Sequence, residues 1–287
     1  MSVLKIFYRK IRAFIRNQKE RYIPYRKIIS VWLKNKNQPY KMISLDEAKR
    51  YKKSDTIFIL GSGPSIKDLT QEQWKHIDKH DSFGINFSHL LDYVPTYYSL
   101  EDGHTKWFRR FVEEKLRPYR KKFSSSVWCI SDRHIGRFIH PRLAPAFFPE
   151  NPLCYFYKFP PTLEFKEDRP FRKEDFAKSI IYRGSLSTVL YLIDKIGYKN
   201  IVLLGIDLHT PEHFFYNMKE MEEYVKMQKD IHDKDKFQYM ILKKNKVKPF
   251  DEYLCALDKL YFAPKGVNLY MGGRDKVIYP RLKIYKW

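Results

Sequence analysis

"TIFILGSGPSIKDL", residues Thr56 to Leu69, is an apolar run that breaks on two glycines and a proline and then resumes with helix-like spacing. The run Thr56 to Leu60 reads as a strand, Gly61-Ser62-Gly63 as a tight turn, and Pro64 as an early helical residue whose missing amide hydrogen would have been unpaired anyway. In that arrangement the glycines let the backbone approach a ligand. The amides around Ser65 then face outward at the positive end of a helix dipole, a setting for phosphate or pyrophosphate. A purely structural turn fits the same residues. The spacing is neither a Walker A loop, since no Gly-Lys-Ser/Thr follows, nor a full GxGxxG, since Ile66 stands where the third Gly would be.

Outward from this turn, short apolar runs alternate with helical patterns. "SFGIN" (Ser82 to Asn86), "TYYSL" (Thr96 to Leu100), "SVWCIS" (Ser126 to Ser131), "NIVLLGID" (Asn200 to Asp207) and "VNLYM" (Val267 to Met271) read as strands. Ile66 to His80, Thr105 to Tyr119, Ser185 to Ile196 and Tyr253 to Phe262 read as helices, and "SLDEAKRY" (Ser44 to Tyr51) as a short helix with a capping box. Strands that are apolar almost throughout, separated by helices, imply an α/β fold: a Rossmann-like, mostly parallel sheet with helices on both faces. The segment Pro141 to Arg172 carries seven prolines and many aromatics and reads as an ordered irregular excursion. A highly charged stretch places a lid, or a plain solvated helix, at about 211–250.

The chain has 287 residues, 44% of them hydrophobic, enough for a full core. Its formal charge is +22, a positive field that attracts polyanions or anionic membranes. Residues 1 to 40 hold eleven Lys or Arg against the single acid Glu20, a net +10 of that total. On a helical wheel Leu4, Phe7, Ile11, Phe14 and Ile15 share one side, and Lys5, Arg9, Arg12, Arg16 and Lys19 the other. Three readings fit this amphipathic basic arm: an anchor in an anionic membrane interface, a helix packed on its own domain, or an arm for nucleic acid. Tyr22, Tyr25 and Trp32 favour the interface over a duplex. The arm is assigned to residues 1–50 and the nucleotide-binding domain to 51–287. Cys129, Cys154 and Cys255 form no CxxC pair, which disfavours a disulfide framework or zinc site and suits a reducing cytosol. No run reaches the length of a spanning helix, so the expected location is cytoplasmic, peripheral on the inner face of the cell membrane.

A second cluster lies at "YRGSLSTVLYLIDKIGYKNIVLLGIDLHTPEHFF", Tyr182 to Phe215. Gly184-Ser185 opens a helix, Gly197 ends it, and the following strand delivers Gly205, Asp207 and His209 at its carboxyl end. Open α/β sheets bind ligands at such ends, near the point where strand order reverses. Helix capping explains Ser185 as well as ligand contact does.

Together the "GSGPS" after a strand, Asn86 ending the next strand in "GINFSH", and "GS" twelve residues ahead of "GYKNIVLLGIDL" resemble the bacterial sialyltransferases of glycosyltransferase family 42 and the related sugar-transferase domains of flagellin-modifying motility accessory proteins. The likeness spans roughly Thr56 to Asp207. It implies that Gly61, Ser62, Gly63, Pro64, Asn86 and Ser185, with Ser65 beside them, hold the cytidine monophosphate part of a CMP-activated sugar. It further implies inverting transfer without a metal or cofactor and Asp207 near the site; with the basic arm, the leading reading takes a lipid-linked surface glycan as acceptor. That family uses a His as general base. Here the matching place, ahead of the helix near Ala256, reads "KVKPFDEY", with Lys248 and no His. A sugar hydroxyl attacking an anomeric carbon needs a proton acceptor, and a neutral imidazole suits it near pH 7. His209 and His213 are the candidates, with Asp207 able to orient one of them. Tyr216, Lys226 and Lys248 are candidate donors to the leaving phosphate. A pyrophosphokinase-like enzyme and a basic membrane- or nucleic-acid-binding module are the competing readings.

Overall fold

The computed structural model describes residues 40–100, 122–131, 149, 152–163, 169–182, 184–208, 210, 212–226, 248–274 and 277–287. The arm up to residue 39, the helix read at Thr105 to Tyr119 and His209 lie outside the described residues.

Nine strands among the described residues form one sheet: β1 (Lys41–Ile43), β2 (Thr56–Leu60), β3 (Asp81–Ile85), β4 (Tyr97–Ser99), β5 (Val127–Ser131), β6 (Leu153–Tyr157), β7 (Asn200–Leu204), β8 (Asn268–Met271) and β9 (Lys283–Ile284). Their order is β1-β6-β5-β4-β3-β2-β7-β8-β9. Every pairing is parallel. The expected α/β fold with a parallel sheet is what the chain adopts. Because crossover helices cover both faces, β2 is buried along its whole length, which is why "TIFIL" shows no polar alternation.

Side chains of alternate parity feed two cores. Ile57, Ile59, Phe83, Ile85, Ile201 and Leu203 meet one set of helices: α1 (Leu45–Lys49), α3 (Lys173–Lys178), α4 (Gly184–Ile196) and α5 (Phe250–Leu257). Phe58, Leu60, Val202 and Leu204 meet α2 (Gln71–Asp78) together with Phe214, Phe215 and Met221. In α4, Leu186, Val189, Leu190, Ile193 and Ile196 are buried at i, i+3, i+4 spacing. Each such side chain contributes about 1.5–3 kcal/mol of burial. The lower rim is tied by Asp81, buried completely, whose carboxylate accepts the amides of Lys53 (2.7 Å) and Ser54 (3.0 Å) and the Thr96 hydroxyl (3.3 Å).

Three expectations change. The helix read as Ile66 to His80 is two elements: a 3-10 turn, Pro64–Asp68, and α2, which Thr70 and Gln73 start afresh with a reciprocal capping box. Residues 40–50 belong to the sheet domain and not to the arm, because β1 pairs with β6 and Ala48 is buried. The proposed lid at about 211–250 begins as core: Phe215 and Met221 are fully buried, and Phe214, Tyr224 and Val225 nearly so. Residues 227–247 lie outside the described set.

Candidate functional site

From β2 the chain steps outward through β3, β4, β5 and β6 on one side, then crosses to β7, β8 and β9 on the other. The order therefore reverses between β2 and β7, and their carboxyl ends flank the crevice where open parallel sheets bind ligands. Gly61 to Ser65 leave β2 there, and Gly205 to Asp207 leave β7 beside them.

The two loops are laced together. Gly61 N donates to Leu204 O (2.8 Å) and Gly63 N to Gly205 O (2.8 Å). Ser65 gives Asp207 both its amide (2.8 Å, to Oδ2) and its hydroxyl (2.5 Å, to Oδ1). A Cβ at Gly61 would overlap the Gly205 carbonyl oxygen and the Ile206 side chain, and one at Gly63 would overlap the Asp207 carboxylate. The glycines are thus required by loop crossing. This corrects the reading in which the glycines bring the backbone to a ligand and the Ser65 amide faces outward: Gly61 and Gly63 approach the neighbouring loop, and the Ser65 amide is donated to Asp207. The helix-dipole argument at Pro64 also falls away, since the element starting there is one short 3-10 turn.

What these loops present is side chains. Ser62 Oγ lies 3.0 Å from His213 Nδ1, and the Phe214 amide donates to the Ser62 carbonyl (2.8 Å), so the loop after β7 is fastened back onto the turn after β2. His213 stacks on Phe215 and meets Tyr216 edge-on. Burial, aided by Glu212, raises the pKa of the half-buried Tyr216 hydroxyl, keeping it a donor at neutral pH. The Asp207 carboxylate accepts from Ser65, and Ser62 is a hydrogen-bonding neighbour of His213. Of the two histidines that Asp207 was expected to orient, His209 lies outside the described residues, and His213 is placed beside Ser62.

One strand over, Asn86 follows β3 and its Nδ2 donates to Ser185 Oγ (2.8 Å), joining two residues 99 positions apart in the chain. Ser185 follows Gly184, whose φ of +63° turns the chain into α4. Sequence reasoning brought Ser62, Asn86, Ser185, Asp207 and His213 to one edge of the sheet, and each is partly exposed there. Lys248 comes to the start of α5, where its carbonyl accepts the Tyr182 hydroxyl (2.6 Å). Its ammonium lies 3.6 Å from Glu252 and over the Phe171 ring, so it already has acidic and aromatic neighbours. Lys226 ends the described part of its segment. Sequence reasoning missed Gly205 as the partner of the glycine turn; its one signal was a second glycine at a strand end, in "LLGID".

Among the described residues, no cluster of three His, Cys, Asp or Glu side chains stands close enough to hold a metal ion. No helix among them is long and apolar enough to cross a membrane.

The fold and site define a parallel α/β protein with partly exposed Ser, Asn and His side chains at the carboxyl ends of its central strands. No protein-family model matches the chain, and no curated protein matches it. Among solved structures, the chain is similar to the sialyltransferase CstII of Campylobacter jejuni, solved with cytidine-5'-monophosphate. Identity is 15%, coverage is 80% of this chain and 84% of that one, and the TM-score is 0.42. It is similar as well to the monofunctional alpha-2,3-sialyltransferase Cst-I of Campylobacter jejuni, with 17% identity, 80% of each chain covered and a TM-score of 0.40.

Proposed function

We propose that this chain is a glycosyltransferase. It takes sialic acid or a similar nonulosonic acid from a CMP-activated donor and transfers it, with inversion and without a metal, to a lipid-linked surface glycan. The observation that carries the reading is the Asn86–Ser185 hydrogen bond beside the β2–β7 crevice, with the Ser62–His213 pair on the adjoining loops. These are the positions at which the glycine-turn, Asn and Gly-Ser motifs resemble the sialyltransferases of family 42.

In this reading Asn86, Ser185 and Ser62 hold the nucleotide end of the donor. The acceptor hydroxyl attacks the anomeric carbon from the face opposite the phosphate. A carbon–oxygen bond forms there as the bond to the CMP phosphate oxygen breaks, and His213 takes the hydroxyl proton. The electron pair leaves on the phosphate, which the Tyr216 hydroxyl stabilises as it gains charge. The basic arm of residues 1–39 holds the enzyme on the anionic inner face of the cell membrane, where such an acceptor resides.

Thermal shift of the purified protein with CMP, UMP, GMP and ATP, with and without EDTA, tests the reading, followed by CMP release from CMP-sialic acid. Preferential stabilisation by CMP that survives EDTA, with release dependent on His213, supports it. Selective stabilisation by ATP with magnesium favours a pyrophosphokinase-like enzyme. Nucleic-acid binding with steep salt dependence and no nucleotide effect favours a basic binding module.

A further inference from the structure

Asn86 is the one non-glycine residue among the described residues with positive φ, at +48°. A left-handed backbone is uncommon on a residue with a side chain; asparagine adopts it more readily than most, and neighbours that fix its carbonyl favour it further. Three neighbours do so here. The Tyr98 hydroxyl donates to the Asn86 carbonyl at 2.5 Å, and His89 Nδ1 stands 2.9 Å from the same oxygen. His89 Nδ1 is also 3.1 Å from the Tyr98 oxygen; with the single tyrosine proton given to the carbonyl, which only accepts, Nδ1 carries the imidazole proton and gives it to this pair of oxygens. The third neighbour is Gly84, on β3 directly opposite Tyr98. A Cβ there would lie 3.1 Å from the Tyr98 ring, 2.6 Å from Ser88 Oγ and 2.9 Å from Pro95. Gly84 therefore gives the tyrosine room to lie against the strand and reach past it to the carbonyl.

Tyr98 is fully buried and His89 nearly so, with Phe123 and Trp128 packed edge-on to the tyrosine. Burial drives the His89 pKa down to about 3, so the imidazole is neutral and stays a single-proton donor throughout the working pH range. Two polar aromatic side chains are thus taken out of water around the Asn86 carbonyl, in contact with each other, while the Asn86 carboxamide meets Ser185.

We infer that Tyr98 and His89 are positioning residues: by clamping the Asn86 carbonyl they hold a left-handed turn that delivers the Asn86 carboxamide to Ser185 and to the nucleotide. The nucleotide half rests on the proposed CMP-dependent function; the clamp itself does not.

Two measurements separate the halves. The first is a crystal structure of nucleotide-free Tyr98→Phe, with His89→Gln as a second variant. Asn86 is expected to turn to negative φ, or its Nδ2 to move beyond hydrogen-bond distance of Ser185. A left-handed Asn86 that keeps the Ser185 contact in both variants overturns the clamp. The second is CMP titration of wild type, Tyr98→Phe, Asn86→Gly and the double variant. Glycine takes φ of +48° without strain, so Asn86→Gly keeps the turn and removes only the carboxamide. Asn86→Gly is expected to weaken CMP binding by about tenfold or more and Tyr98→Phe by about threefold to tenfold. In the Asn86→Gly background, Tyr98→Phe should then change binding by less than about twofold, because it acts through the missing side chain. Equal losses from Tyr98→Phe in both backgrounds would show general loosening and overturn the inference. A wild type that ignores CMP counts against the proposed function, and the crystal structures then decide the clamp alone.

Discussion

Gly63→Ala places a methyl group where the β2 and β7 loops cross. A Cβ there would overlap Asp207 Oδ2 and lie 2.8 Å from both Asp207 Cγ and the Gly205 carbonyl oxygen. A carboxylate can swing aside, but the carbonyl is backbone and accepts the Gly63 amide itself at 2.8 Å. Relief therefore requires the loops to part. Overpacking of this kind costs about 1–3 kcal/mol, and a lost buried amide bond adds about 1 kcal/mol, for roughly 2–4 kcal/mol in total. In a large domain this lowers Tm by roughly 5–10 °C. Gly273→Ala is the control, since a Cβ at Gly273 meets nothing within 4 Å and its φ is not in the left-handed range. Calorimetry of the three proteins without ligand reads the effect directly. If Gly63→Ala melts with wild type and only loses nucleotide affinity, the glycine serves a ligand after all and the loop-crossing argument is wrong.

Four further outcomes are expected. His213→Ala should lower kcat of sugar transfer by about 100-fold or more while KM for the CMP-sugar stays within about threefold, as loss of a general base demands; a change confined to KM would move His213 to binding. Asp81→Ala removes the buried acceptor of the Lys53 and Ser54 amides and of the Thr96 hydroxyl and should lower the free energy of urea unfolding by about 1–3 kcal/mol, whereas an effect below about 0.5 kcal/mol would show that the rim is solvated. His89, with its folded pKa depressed to about 3, binds its proton only when the chain unfolds, so its contribution to stability erodes as pH falls below the unfolded value near 6.5. Between pH 6.5 and 5 that loss is about 2 kcal/mol, and His89→Gln should shallow the decline by that amount; parallel curves would refute it. Asp55 is held down to a pKa of about 2 by Lys199 and Lys52, so its stabilising effect is present above the unfolded value near 3.8 and is lost as pH falls from there toward 2; Asp55→Asn should flatten acid unfolding in that window, and an unchanged acid limb would contradict the pairing.

The central strands were legible because burial on both faces leaves no polar alternation: β2, β3, β5 and β7 coincide with apolar runs to within one to three residues at either end. β1, β6 and β9 went unread. β1 and β9 are three and two residues long at the sheet edges, and β6 is only partly buried inside a proline-rich segment whose composition argues against a strand. The helix running on from Ile66 was read through the break at Leu69 because apolar spacing continues across it, although "TQEQ" carries the capping signal that restarts the helix. In the site, the glycine turn, Asn86, Ser185 and His213 were visible as residue types at strand ends. What the turn is for was not visible, because its partner, Asp207, lies 142 positions away from Ser65. A glycine forced by a ligand and a glycine forced by another loop look alike in one dimension. The clamp on Asn86 was equally hidden, since Tyr98 and His89 sit in runs that read as ordinary core.

The most direct test of the account is a crystal structure of the protein with CMP. The account predicts the nucleotide outside the carboxyl ends of β2, β3 and β7, with hydrogen bonds from Asn86 and Ser185 and the phosphate beside the Tyr216 hydroxyl. CMP bound at the opposite rim of the sheet beside Asp81, or a crevice that stays empty at saturating CMP, would contradict it.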